Sequence, residues 1–249
     1  MKRFNLHWLG RWGNNLFQYA FARGYCERNG LELHTDPWVG EKIFEISHPR
    51  CVGDLPRMEE VDLRDGMGDI SYRSYSQQQK CADYYSLEQI ARWFRFRQRE
   101  IYDRLYIHLP TSRETVAHRR RGDYVWDGSS YPLVSDKSYV ECCNKFALNR
   151  MITWVSEEDA FRHPEFTGEL SLVPDFVRMS HAFTLLRSNS SFSFWGAAIA
   201  QSIGARIFSP VVDGLKGGIE HDVEFIEGNS ARLASFDFVT PIEIKERAA

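Results

Sequence analysis

A plausible strand, Arg3 to Leu9, breaks at Gly10 and hands over to a stretch whose apolar residues recur at helical spacing. Leu16, Phe17, Ala20, Phe21 and Tyr25 fall on one face of a helix predicted over residues 15–28, Asn29-Gly30 supplies its stop, and Leu31 to Thr35 returns as a strand. A second alternating series begins after Pro110. Strands are expected at Thr115–His118, Met151–Val155, Glu169–Val173, Phe183–Leu186 and Ala205–Phe208, with helices over Lys137–Leu148, Asp175–His181 and from Ser191. Alternation of this kind favours parallel sheets with helices on both faces. The expected architecture is α/β, in two lobes meeting near residue 110.

Between the two series, Ser86 and Gln89 form a capping-box pair that opens a helix predicted to run to about Leu105 and to carry Trp93, Phe94 and Phe96 as core or inter-lobe contacts. From Asp62 to Asp83 no period holds, and a loop is expected there. Such a loop is the place to look for specificity contacts.

Charge narrows the function. The 34 acidic residues outnumber the 31 basic ones, giving a net charge of −3, which argues against affinity built on phosphate neutralisation along nucleic acid. No apolar run reaches the roughly 18 residues of a membrane-spanning helix, and the polar amino terminus does not read as a secretory signal. Five cysteines without C-x-x-C spacing read as free thiols of a reducing compartment, so a cytoplasmic protein is expected.

Open α/β sheets bind ligands at the carboxyl ends of their strands, and three strand-to-loop transitions stand out. Gly10-Arg11-Trp12-Gly13-Asn14-Asn15 opens the first helix; it is either an ordinary β–α turn or a close approach to a ligand at a helix amino terminus. His118-Arg119-Arg120-Arg121-Gly122-Asp123-Tyr124 ends a strand; it is either a solvated charge run or an anion site built from planar, permanently charged guanidiniums. Ser188 to Gly196 brings hydroxyls to a helix start; these are either a cap with packing aromatics or donors for a phosphate.

Together the three segments resemble the α-1,2-fucosyltransferases, glycosyltransferase family 11, which are related to the α-1,6- and protein O-fucosyltransferases. The family's G-G/R-L-G-N-Q-x-F-Q-Y-A is matched from Gly10 to Ala20, its H-x-R-R-G-D-Y from His118 to Tyr124, and its N-S-S-F-S-W-W-x-A from Asn189 to Ala197. Val155-Ser156-Glu157-Glu158 stands where the family has a strand ending in serine and acids, so the resemblance spans residues 4 to 208. Asn15 replaces a glutamine, Trp12 and Arg119 replace aliphatic residues, and Phe194 replaces the first tryptophan.

The resemblance implies a GT-B-like fold, two Rossmann-like lobes with a cleft between them: residues 1–110 on the acceptor side and residues 111–249 binding the GDP-sugar. It implies inverting transfer of L-fucose from GDP-fucose to a glycan hydroxyl, α-1,2 to galactose. The chain has no D-x-D, its nearest approach being Asp222-Val223-Glu224, so no metal or other cofactor is expected and arginine must offset the charge on the departing diphosphate. By resemblance, Arg120 contacts the diphosphate with Arg121 beside it, His118 lies near the guanine, and Ser190, Ser191 and Ser193 bind phosphate with Phe192 among them. Asp175 accepts from the guanine edge, Arg11 and Asn14 orient fucose or acceptor, and Asp123 buttresses the arginines. Asp123 and Asp127 are the acids on offer as a base, which stays unassigned. The partners implied are a nucleotide-sugar donor and a glycan acceptor, with peripheral membrane association if that acceptor is lipid-linked. The alternatives are a transferase of the same fold using another nucleotide sugar, or a non-catalytic GDP- or glycan-binding protein.

Overall fold

The computed structural model describes residues 1–59, 62–105, 109–125, 129–158, 160 and 162–227. The strands are β1 (Arg3–Leu6), β2 (Glu32–Thr35), β3 (Arg57–Met58), β4 (Ile70–Tyr72), β5 (Thr115–His118), β6 (Leu133–Val134), β7 (Ile152–Val155), β8 (Thr184–Leu186), β9 (Arg206–Pro210), β10 (Glu220–His221) and β11 (Phe225–Glu227). The α-helices are α1 (Trp12–Asn29), α2 (Gly40–Ile43), α3 (Gln79–Ala82), α4 (Leu87–Trp93), α5 (Asp103–Leu105), α6 (Asp136–Lys145), α7 (Val173–Ser180) and α8 (Ser191–Ser202).

They build two parallel sheets. The first runs β2-β1-β4-β3, and the second β11-β9-β8-β5-β7 with only its edge strand β11 antiparallel; β6 and β10 pair as a small parallel ribbon. Helices separate most consecutive strands of both sheets, as the sequence pattern predicts, although β4 follows β3 directly. Three expectations fail. Residues 62–83 are not simply a loop, because β4 lies inside them and pairs with both β1 and β3. A strand of three residues is too short to display a period, and its partners supply the reason it forms. The helix opened by Ser86 keeps both capping-box bonds but ends at Trp93, and Phe96 then pairs with Phe44 in an isolated antiparallel bridge. Residues 169–173 are no strand: a 3₁₀ turn, Gly168–Leu170, leads into α7, where Pro174 sits in the first turn and needs no amide partner.

One hydrophobic core joins the two sheets. Its centre is α8, which is apolar on nearly every side, with Phe194, Trp195, Ala197 and Ala198 fully buried. The Phe194 ring lies 4.7 Å from Phe17 of α1, and Trp195 lies 5.2 Å from Phe94 beyond α4. Trp12 meets Phe176 of α7 edge-on at 5.4 Å. The predicted contact aromatics Trp93, Phe94 and Phe96 are all buried. All five cysteines are free thiols, and no helix among the described residues is long and apolar enough to cross a membrane.

Candidate functional site

Helix α1 leaves the carboxyl end of β1, and α8 leaves the carboxyl end of β8 one residue after its Ser190 cap. The two amino termini come together at Gly13. A Cβ there would lie 2.6 Å from Ser191 Oγ and 2.7 Å from the Phe192 amide nitrogen, so only glycine allows the contact. Neither helix has an acidic residue in its first turn. Both positive dipole ends are therefore left without a carboxylate of their own.

A cavity of about 360 Å³ opens beside this junction. Of the residues singled out from sequence, it is lined by Arg11, His118, Arg120, Asp175, Ser190, Ser191 and Phe192. The three segments, distant in the chain, thus share one wall. Asn14, Arg121, Asp123 and Ser193 do not line the cavity; Asp127 lies outside the described residues.

The arginine triplet is sorted by the two-residue alternation of an extended chain leaving β5. Arg119 and Arg121 turn to one side, where both pair with Asp136, at 2.8 and 3.1 Å; Arg121 also donates to the Val134 carbonyl at 3.1 Å and reaches Glu220 at 3.2 Å. His118 and Arg120 face the cavity. The Arg120 side chain is only 16% exposed, pairs with Glu157 and Asp123, and lies over the Tyr124 ring at 5.0 Å. Asp123 reaches back to Arg11 at 3.5 Å, so one carboxylate spans guanidiniums from the two ends of the site. Arg11 is 80% exposed and able to swing. Asn14 instead accepts a hydrogen bond from Gln77 Nε2 at 2.8 Å.

His118 is buried, its Nδ1 sharing a 2.7 Å hydrogen bond with Ser188 Oγ. Burial, with the nearby Arg120 charge second, pulls its pKa down to about 3, so the imidazole is neutral at physiological pH. The Phe192 ring stands between His118, at 5.7 Å, and Phe176, at 5.5 Å. Ser190 Oγ accepts from the Phe192 amide at 3.3 Å, the usual N-cap bond. Ser193 Oγ is fully buried and donates to the Ser188 and Ser190 carbonyls, which fixes the loop rather than facing the cavity.

Sequence reading did not single out Arg162, Ser171 and Leu172, which also line the cavity; Arg162 belongs to no motif, and Ser171 and Leu172 lie in the segment expected as a strand. Arg187 was missed as well. It follows β8, is fully buried, and donates to Ser209 Oγ at 2.8 Å and to the Ser188 carbonyl at 3.1 Å, holding the loop that carries Ser190. Asp222 and Glu224, the nearest match to D-x-D, lie away from the cavity, where Asp222 accepts from Ser135 Oγ and Glu224 pairs with Lys145. Among the described residues one trio of metal-ligand type, His7, Asp36 and Cys51, has its ligand atoms within 4.8 Å of one another, also away from Arg120. Burial pushes the Cys51 thiol up to about 12, which opposes the thiolate a metal would need.

No family model matches the chain, and no curated protein matches it in sequence. Solved structures do match. Fucosyltransferase NodZ from Bradyrhizobium, in its selenomethionine form, aligns over 92% of this chain and 99% of its own with a TM-score of 0.55 and 14% identity. NodZ α-1,6-fucosyltransferase soaked with GDP-fucose aligns over 92% and 100% with a TM-score of 0.52 and 15% identity. A variant of Arabidopsis thaliana FUT1 in complex with GDP aligns over 84% and 70% with a TM-score of 0.52 and 9% identity. At these identities the likeness is one of fold.

Proposed function

We propose that this chain is an inverting glycosyltransferase that moves L-fucose from GDP-fucose to a glycan hydroxyl, α-1,2 to galactose, without a metal. The observation that carries this reading is the cavity where two helix amino termini, neither with an acid in its own first turn, meet Arg120 and Arg11. It is the arrangement a diphosphate requires. The GDP complex of one protein with this fold, and a crystal of another soaked with GDP-fucose, support it.

In this reading residues 1–110 form the acceptor lobe and residues 111–249 the donor lobe of a GT-B-like pair. The diphosphate lies against the Ser190–Ser191 turn and takes the Arg120 guanidinium from Glu157. As the bond from fucose to GDP breaks, the negative charge on the β-phosphate grows where Arg120 and the two dipoles already point. Preorganised charge of this kind acts on the transition state rather than on the substrate. Neutral His118 and Asp175 hold the guanine, Arg121 steadies the loop behind Arg120, and Arg11 orients fucose. Asp123 stays a buttress, bound to two arginines.

A sugar-nucleotide panel tests the donor. Release of GDP from GDP-fucose with a galactoside acceptor, and an α-configured product, is the expected result. Turnover of GDP-mannose or a UDP-sugar instead would move the assignment to another donor; calorimetric GDP binding without transfer would leave a binding protein. Activity is expected to persist in EDTA, and loss that manganese restores would refute the metal-free reading.

A further inference from the structure

A second concave site of about 420 Å³ lies on the first sheet, lined in part by His7, Trp8, Asp36, Arg57, Ser71 and Arg73. Strand register explains why these residues meet. Asn5 pairs with Ser71, and Ser71 with Arg57, while the His7 amide donates to the Tyr72 carbonyl at 2.9 Å. His7, Ser71, Arg57 and Arg73 therefore fall on one face of neighbouring parallel strands, near their carboxyl ends.

The charges are uneven. Arg57 and Arg73 are exposed and make no side-chain hydrogen bond or ion pair among the described residues. Among the described residues Asp36 is the one carboxylate lining the site, and it is engaged, with His7 Nδ1 2.8 Å from its Oδ2. Two unengaged guanidiniums thus face one occupied acid. The wall is aromatic. Trp8, half-buried, donates from Nε1 to the Asp36 carbonyl at 2.9 Å and stacks on Trp38 at 4.5 Å. Trp38 in turn stacks on Trp12 at 5.7 Å, and Trp12 lines the Arg120 cavity. The stacked indoles of Trp8, Trp38 and Trp12 link the walls of the two sites.

Guanidinium forks beside an indole suit a sugar ring that carries an oxyanion. We propose that this second site is an acceptor subsite for an anionic saccharide, bearing a carboxylate or a phosphate ester one or two residues from the hydroxyl that attacks. The assignment rests on the glycan-acceptor reading above, and binding without donor separates the two. Ser71 and Arg73 belong to the segment 62–83 in which specificity contacts are expected.

The test uses the full chain and three galactose-terminated oligosaccharides that differ in one neighbouring sugar: glucuronate, its carboxyl-reduced glucose counterpart, and a glucose 6-phosphate ester. Calorimetry without GDP-fucose is expected to show a charged member binding about tenfold more tightly than the neutral one at low salt. Whether the carboxylate or the phosphate ester binds better identifies the source of the oxyanion. The preference is expected to vanish in the R57Q/R73Q double variant, whose GDP affinity and melting temperature stay unchanged. Equal binding of charged and neutral saccharides, or a preference that survives R57Q/R73Q, would overturn the proposal. So would inorganic sulfate binding as tightly as the saccharides, since the site would then recognise no sugar. Tight binding of the acidic saccharide without fucose transfer would retain the subsite and remove the fucosyltransferase reading.

Discussion

Three adjacent arginines share a sequence neighbourhood and almost nothing else. Arg120 faces the cavity, whereas Arg121 ties the Val134 carbonyl, Asp136 and Glu220 together. Arg120→Ala is expected to lower kcat/KM by about 10²–10³ while the circular dichroism spectrum shows the fold retained. Arg121→Ala is expected to lower the melting temperature and leave kcat/KM within a fewfold of normal. Equal kinetic losses in both would dismiss the alternation of roles. His118 makes a separate prediction. Its folded pKa, about 3, is depressed below the ordinary 6.5, so between those values the unfolded chain binds a proton that the folded chain excludes. Its contribution is complete above pH 6.5 and is lost as pH falls towards 3, at about 1.4 kcal/mol per pH unit. Urea unfolding across pH 4–7 should show this acid limb, and His118→Asn should flatten it; an unchanged slope would mean that the imidazole is not excluded from protonation.

At the scale of elements, the junction of α1 with α8 positions the site, and Gly13 permits it. Gly13→Ala would set a methyl group against the Ser191 and Phe192 backbone. Overpacking of this kind costs about 1–3 kcal/mol. Because the clash sits at the two amino termini that face the cavity, GDP affinity should fall with stability. Calorimetry on the folded variant checks this, and wild-type GDP affinity would show that the junction does not shape the site. Away from the cavity, α4 is capped by the reciprocal Ser86–Gln89 pair and α6 by Ser135.

For the whole molecule, the shared core makes the two sheets one cooperative unit. Trp195 is fully buried and touches Phe17, Phe94 and Tyr85, which precede residue 110, while its own helix packs on α7. Trp195→Ala is expected to destabilise the protein by about 3–5 kcal/mol. Fluorescence and circular dichroism should still report a single coincident transition. Two separated transitions would mean that each half folds by itself.

The sequence by itself determined the element alternation, the α/β class and the three segments that meet at the cavity. Glycine turns, a capping box and helical periodicity are local signals, written in neighbouring residues. Most helices and the strands β1, β2, β5, β7, β8 and β9 were legible for that reason. Strand β4 was not, since Ile70–Tyr72 becomes a strand only by pairing with Phe4–Leu6. Nor could the sequence divide the arginines between cavity and scaffold, place Arg162 on the cavity wall, or bury Arg187 behind the Ser190 loop. Those outcomes depend on which face of a strand meets which partner. Only the packing of α8 against α1 and the joining of two sheets through one core decide that.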